Sequence, residues 1–202
     1  MNICYIVGAG DFDTSFTPLK DDLVIAADGG YDSLLKCGIR CDLIIGDMDS
    51  VKNVPVDIPC IRHKVKKDET DMHLAYLEGK KRGYSEFRIY GATGGRSDHT
   101  FANYCLLLFI KENMDNALIC TAQNTTRVIK NEEITLSGRH GAYVSVFAFG
   151  GDAEGVFIKG LEYEVEDAKL TRSFPLGVSN KYTEKKASVS VKSGALLIIS
   201  QI

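Results

Sequence analysis

What this chain of 202 residues leaves out narrows its function before any motif is read. Its longest apolar run, Tyr104 to Ile110, falls far short of the roughly 20 residues a membrane-spanning helix needs. No Lys/Arg block stands out beyond Lys64 to Lys67 and Lys80 to Arg82, and the net charge is -3, so no nucleic-acid surface is expected. The chain starts in an apolar run, Ile3 to Val7, without the basic region and cleavage site of a secretory signal. Cys37 and Cys41 are spaced like half a metal site but lack a complementary Cys/His pair, which argues against zinc. The six cysteines are scattered, most of them inside apolar runs, as expected of a protein kept in a reducing cytoplasm. Tryptophan is absent, prolines number only 4, and there is no internal repeat or low-complexity tract. What remains is ordinary for a globular protein, 45% hydrophobic and 25% charged, long enough for one large domain or two modest ones.

The most informative stretch is Leu43-Ile44-Ile45-Gly46-Asp47-Met48-Asp49-Ser50. A short apolar run reads as a buried strand, and it delivers Asp47 and Asp49 to one edge of a sheet. In a parallel sheet that is the carboxyl edge, where open α/β folds bind ligands. Two carboxylates so close repel each other unless a cation sits between them, and for all-oxygen ligands the usual cation is magnesium carrying a phosphate. The competing structural explanation is that the aspartates only cap a turn or helix.

Other strands end similarly. Ile3 to Val7 runs into Gly8-Ala9-Gly10-Asp11, but Asp13 stands where a dinucleotide fingerprint needs its third glycine, so a nicotinamide or flavin site is excluded. Leu23 to Ala27 ends in Asp28-Gly29-Gly30, and a short helix over Tyr31 to Lys36 is stopped by Gly38. A short strand over Ile58 to Arg62 precedes a helix in which Asp68 suits an N-cap and Asp71 falls three residues later, with Met72, Ala75, Tyr76 and Gly79 on one face. Alternatively, Thr70 and Asp71 open that helix, aiming its positive end at the same edge. Phe87 to Tyr90 leads into Gly91-Ala92-Thr93-Gly94-Gly95-Arg96-Ser97-Asp98-His99, where glycines admit an anion to backbone N–H groups and Arg96 adds a charged fork. The Gly-Lys-Ser/Thr ending of a Walker loop is missing, which removes the P-loop NTPases. The next helix, Thr100 to Asn113, is apolar nearly all round and is expected deep in the structure, followed by a strand over Ala117 to Thr121.

After about Ala122 the pattern becomes β throughout. Leu161 to Glu166 and Ala187 to Lys192 alternate as half-buried antiparallel strands, joined by Tyr143 to Phe149, Val156 to Ile158 and Leu196 to Ile199. They predict a sandwich with turns at Gly150-Gly151 and Gly194.

Asp28, Asp47, Asp49, Asp71 and Asp98 gathered at one edge would oppose each other's ionisation, and a divalent cation removes that opposition. With the glycine loop and Arg96 they imply Mg-assisted transfer or hydrolysis at a phosphoryl centre. A haloacid-dehalogenase-like phosphohydrolase shares an Asp-x-Asp but places it on the first strand, whereas here it follows the third. The rival outside enzymology is a nucleotide-binding module that turns nothing over.

The four ordered motifs, Asp28-Gly29-Gly30, Gly46 to Ser50, Asp68 to Asp71 and Gly91 to His99, resemble those of the thiamine pyrophosphokinase family, and Leu176-Gly177-Val178-Ser179-Asn180 resembles its thiamine-contacting segment. The resemblance implies a fold of α/β plus all-β class. A parallel-sheet, Rossmann-like catalytic domain over residues 1–122 would precede an antiparallel β-sandwich over 123–202 that binds thiamine and dimerises. It implies transfer of the diphosphate of ATP to thiamine, releasing AMP. Asp47, Asp49 and Asp71 would hold Mg²⁺; Asp28, Gly29, Gly30, Thr70, Thr93, Gly94, Gly95 and Ser97 would line ATP. Arg96 would neutralise charge on the transferred group, and Asp98 would orient or deprotonate the thiamine hydroxyl. Ser179 and Asn180 would hold the aminopyrimidine across the interface of a homodimer. His99 is given no required role. No tryptophan is present to stack on thiamine, as one does in some members.

Overall fold

A computed structural model describes residues 2–12, 16–47, 57–63 and 68–202. They fall into two compact units, Met1–Leu106 with Met114–Thr121, and Leu107–Asn113 with Ala122–Ile202.

The first unit holds β1 (Cys4–Val7), β2 (Leu23–Ala27), α1 (Gly30–Lys36), β3 (Leu43–Gly46), β4 (Cys60–Arg62), α2 (Asp71–Lys81), β5 (Glu86–Tyr90) and β6 (Asn116–Cys120); α3 (Ser97–Glu112) begins in it. Every residue of β1, β2 and β3 is buried, which is why these strands read as unbroken apolar runs rather than alternating ones. The strands are parallel in the order β6-β5-β1-β2-β3-β4. The chain therefore builds outward from β1 in one direction and then returns to its other side with β5. The reversal leaves a crevice beyond the carboxyl ends of β1 and β5.

Helix α2 buries Met72, Ala75, Tyr76 and Gly79, the face its sequence marks as apolar. A Cβ at Gly79 would stand 2.8 Å from Cys4 Sγ and 2.8 Å from the Phe87 ring, so the helix lies close on β1 and β5. Its far end is tied down by the buried Asp115 carboxylate, which accepts from Tyr76 Oη (2.8 Å) and Lys80 Nζ (2.8 Å). The helix starts later than an Asp68 cap would have it. Thr70 is the N-cap, its Oγ1 accepting from the His73 N–H at 3.2 Å, and Asp71 is the first helical residue.

Helix α3 departs from expectation in two respects. It starts at Ser97, so Ser97 and Asp98 belong to its first turn rather than to the preceding loop. Nor is it buried all round: Asn103, Leu106, Leu107 and Ile110 are buried, whereas Phe101 is 62% and Phe109 37% exposed and Cys105 is also exposed. Spacing by four residues puts those three on one stripe, so an apolar composition does not by itself make a helix central.

The second unit adds β7 (Asn124–Lys130), β8 (Glu133–Ser137), β9 (Tyr143–Ala148), β10 (Ala153–Lys159), β11 (Val165–Leu170), β12 (Gly177–Lys181), β13 (Lys186–Ser193) and β14 (Ala195–Gln201). Antiparallel pairing gives the orders β12-β9-β14-β7 and β11-β10-β13-β8. Inward residues of both sets, among them Val144, Val146, Val156, Val189, Leu196 and Ile198, make one core cluster. The strand expected at Leu161 to Glu166 instead begins at Val165. Leu161 makes an isolated bridge to Tyr182, the Gly160 N–H donates to Glu164 Oε1 (2.7 Å), and Tyr163 is fixed by Asn180, so tertiary bonds fold this alternating stretch into a turn.

Candidate active site

The crevice is built by two glycine loops laid side by side. Gly8 N–H donates to Tyr90 O (2.8 Å), Gly10 N–H to Gly91 O (2.9 Å) and Asp11 N–H to Thr93 O (2.8 Å), continuing the β1–β5 pairing past the end of the sheet. Gly91 has φ +58°, and a Cβ there would lie 2.2 Å from Gly8 O; no side chain can be placed at this crossing. Phe16 stacks on Tyr5 (4.3 Å between ring centroids) and on Tyr90 (4.6 Å), with Phe12 against Tyr90 at 6.0 Å, so these two rings pack back onto the sheet.

The next strands bring carboxylates. Asp28 follows β2 in the left-handed conformation (φ 48°), and its N–H donates to Ile45 O (2.8 Å), continuing the β2–β3 pairing for one residue. A Cβ at Gly46 would lie 3.1 Å from that of Asp28, so the backbone carrying Asp47 passes directly beside it. Gly29 is the N-cap of α1, and Gly30 packs so tightly that a Cβ would sit 1.9 Å from Val7 O. The pair lets α1 dock on β1.

Asp28, Asp47, Glu69, Thr70, Asp71, Gly94, Gly95, Arg96, His99 and Asn103 border one cavity of about 540 Å³, together with Gly8 to Gly10 and Gly91. Among the described residues four acidic residues thus border it against one arginine and one histidine. Thr70 Oγ1 accepts from the helix, which leaves its proton available to the cavity. Among the proposed nucleotide residues, Gly29, Gly30, Thr93 and Ser97 are not in the described lining, nor is Asp98. Asp49 lies outside the described residues, as do Met48 and Ser50. No group of three or more His, Cys, Asp or Glu suited to a metal occurs among the described residues. The donors that do face the cavity are carboxylate oxygens, the type a hard divalent cation prefers.

Arg96 and Asp98 form a two-point ion pair, Nε to Oδ1 at 3.2 Å and Nη2 to Oδ2 at 2.6 Å, with side chains 72% and 64% exposed. The hydrogen bond from Arg96 holds the Asp98 carboxyl below the usual carboxylate range, helped by the His99 N–H, and the same pairing raises Arg96.

Ser179 and Asn180 lie on β12 in the second unit. Ser179 is exposed with φ 59°, and its N–H donates to Ser145 Oγ (3.1 Å). Asn180 is 4% exposed and its amide is used locally. Nδ2 donates to Tyr163 O (2.7 Å), while Oδ1 accepts from the N–H groups of Tyr163 (2.9 Å) and Lys181 (2.9 Å). It pins the Tyr163 turn to β12.

Sequence reasoning did not single out Glu69 or Asn103 for the site. Glu69 carries no signal of its own beyond standing next to Thr70. Asn103 has one, as a polar side chain inside an apolar helix four residues after His99.

Residues 18–119 match the family model described as thiamin pyrophosphokinase, catalytic domain, and residues 128–196 match thiamin pyrophosphokinase, vitamin B1 binding domain. The chain is 28% identical over 185 residues to the thiamine pyrophosphokinase of Bacillus subtilis (strain 168), covering 88% of this chain and 86% of that one. It resembles the solved thiamin pyrophosphokinase of Geobacillus thermodenitrificans with a TM-score of 0.85 at 27% identity, covering 99% of this chain and 97% of that one. A TM-score of 0.88 at 22% identity to the Bacillus subtilis crystal structure, over 100% and 99% of the two chains, establishes likeness of fold.

Proposed function

Because the chain belongs to the thiamin pyrophosphokinase family and is thereby a thiamine diphosphokinase, moving the diphosphate of ATP to thiamine, we propose that the cavity at the carboxyl edge of the parallel sheet is where that transfer takes place. The observation that carries this reading is the convergence on one crevice of carboxylates from three places in the chain with a glycine loop and Arg96. The β1–β5 reversal beneath it supports describing the first unit as Rossmann-like, and the shared core of the second supports describing it as a β-sandwich. Residues 1–122 would then bind ATP and carry the chemistry, and 123–202 would bind thiamine and dimerise.

Asp47 and Asp71, with Asp49, would hold Mg²⁺, and the oxygen donors that border the cavity fit that ion. When bound, it supplies neutralising charge at the phosphoryl oxygens. Asp28, Thr70, Gly94 and Gly95 face the nucleotide directly, whereas Gly29, Gly30, Thr93 and Ser97 act by shaping the loops around it. The thiamine hydroxyl oxygen forms a bond to the β-phosphorus, and the bond from that phosphorus to the oxygen bridging to the α-phosphorus breaks. AMP leaves with the bridging oxygen. Arg96 stabilises the charge that builds on the transferred group. Asp98, ionised well below neutral pH, is suited to orienting Arg96 and the attacking hydroxyl, and the hydroxyl proton passes to it or to solvent. Ser179 would contact the aminopyrimidine, with Asn180 supporting it by holding the Tyr163 turn. Exposed Tyr163, Phe174, Leu176 and Val178 around this segment support a homodimer, and six free cysteines support a reducing, cytoplasmic setting.

The test is AMP formation from ATP and Mg²⁺ with and without thiamine, followed by chromatography of the thiamine products. AMP that requires thiamine and matches thiamine diphosphate is the expected result. ADP with thiamine monophosphate would make the protein a single-phosphoryl kinase, and absence of turnover would make it a binding module.

A further inference from the structure

Asn103 sits on α3, 6% exposed, in the wall of the same cavity. Its side-chain nitrogen donates to Ala92 O at 2.7 Å. A carbonyl only accepts, so the amide orientation is forced: the NH₂ must face Ala92 and Oδ1 must face away. Among the described residues Oδ1 has no hydrogen-bond donor, yet it is not among the atoms sealed from solvent. A nine-tenths buried amide whose oxygen has no protein donor in a cavity wall takes its donor from water when the cavity is empty and from what the cavity binds when it is filled.

We propose that Asn103 is a specificity residue whose Oδ1 accepts a hydrogen bond from a neutral O–H or N–H group of a substrate. Phosphate oxygens are excluded as partners, because two acceptors repel. The position agrees with that exclusion: Asn103 grips the root of the glycine loop at Ala92, whereas Gly94, Gly95 and Arg96 at its tip suit the anion. The donor therefore belongs to an uncharged part of the reactants. It is either a ribose hydroxyl or the adenine amine of the nucleotide, or else the hydroxyl or amine of thiamine. This assignment rests on the proposed reaction at this cavity, and the experiment separates the two.

The experiment measures kcat/KM of the full-length protein with Mg²⁺ for ATP, 2′-deoxyATP, 3′-deoxyATP and purine riboside triphosphate at fixed thiamine, and for thiamine against oxythiamine at fixed ATP. Each nucleotide analogue deletes one donor, and oxythiamine exchanges the amine donor for an oxo acceptor. The wild type should lose about 3- to 10-fold on one nucleotide analogue or on oxythiamine, the size of one neutral hydrogen bond. Asn103→Ala, or Asn103→Ser should the alanine variant fold poorly by circular dichroism, should erase that discrimination while leaving the other ratios unchanged. A thiamine hydroxyl partner would instead give a loss common to every nucleotide in the variants, with thiamine KM raised and ATP KM unchanged. A purely structural role would lower kcat/KM for all substrates alike without changing any ratio or moving thiamine KM alone, and that outcome overturns the proposal. If the wild type makes no AMP with thiamine, the functional reading fails. The same nucleotide and thiamine panels read by calorimetric binding then still test Asn103, and equal affinity across both would reject it.

Discussion

At the scale of single residues, Arg96 and Asp98 form the pair on which the proposed chemistry most directly depends. Their two-point contact holds the Asp98 carboxyl below its ordinary range, mainly through the hydrogen bond Arg96 donates. For a carboxyl depressed in the folded state, the favourable pairing is complete above the unfolded-state value and is lost as pH falls through the folded one. Both side chains are largely exposed, so the pair adds little to global stability and its consequence is local. In Arg96→Gln the carbon-13 titration midpoint of the Asp98 carboxyl should rise toward the ordinary carboxylate range, and an unchanged midpoint would mean that the pair does not form in solution. With Arg96 in its proposed role as donor to developing charge, the same variant should lower kcat by on the order of 10²-fold. Its circular dichroism and melting temperature should stay near those of the wild type.

At the scale of elements, the start of α2 is where capping and the proposed function meet. Thr70 caps the helix through Oγ1 while its proton is left for the cavity, and Asp71 opens the first turn, where the helix dipole favours a negative charge. Thr70→Ala should cost about 1 kcal/mol in urea unfolding and raise KM for ATP. Thr70→Asn should recover much of the stability, since asparagine caps well, without recovering KM. Recovery of both would reduce Thr70 to a cap. The case also shows what was legible in the chain. The buried strands β1, β2 and β3 could be read because burial on both faces leaves only apolar residues, and the carboxylates and glycines that end them marked in advance the edge that the cavity occupies. The cap could not be fixed, because Asp68 and Thr70 both satisfy the local rule and only the fold chooses between them. Leu161 to Glu164 alternated like a strand, yet Asn180, sixteen or more residues away, holds Tyr163 in a turn. β7, β8 and β12 escaped detection because their runs, Asn124 to Lys130, Glu133 to Ser137 and Gly177 to Lys181, carry too many polar residues to stand out from loop; pairing with β14, β13 and β9 makes them strands. Asn103 was hidden for the opposite reason, as one polar residue in a helix read as apolar nearly all round.

At the scale of the whole molecule, the residues proposed for ATP and those proposed for thiamine belong to different compact units, the first to the unit that holds the cavity and the second to β12 of the other. If the thiamine segment serves the partner's cavity in a homodimer, two defective chains can repair each other. Asp47→Asn removes a carboxylate from the first unit and Ser179→Ala a hydroxyl from the second; each variant alone should fold, dimerise by light scattering and turn over slowly. In a mixed dimer of two-fold symmetry, one site would combine the intact Asp47 of one chain with the intact Ser179 of the other, while the second site would carry both defects. Random exchange between equal amounts should therefore restore about a quarter of wild-type activity. With both residues acting within one chain, every site in the mixed dimer keeps one defect, and mixing would give no more than the average of the parents. Light scattering at the monomer mass would remove the cross-chain arrangement altogether and require Ser179 to act on the cavity of its own chain.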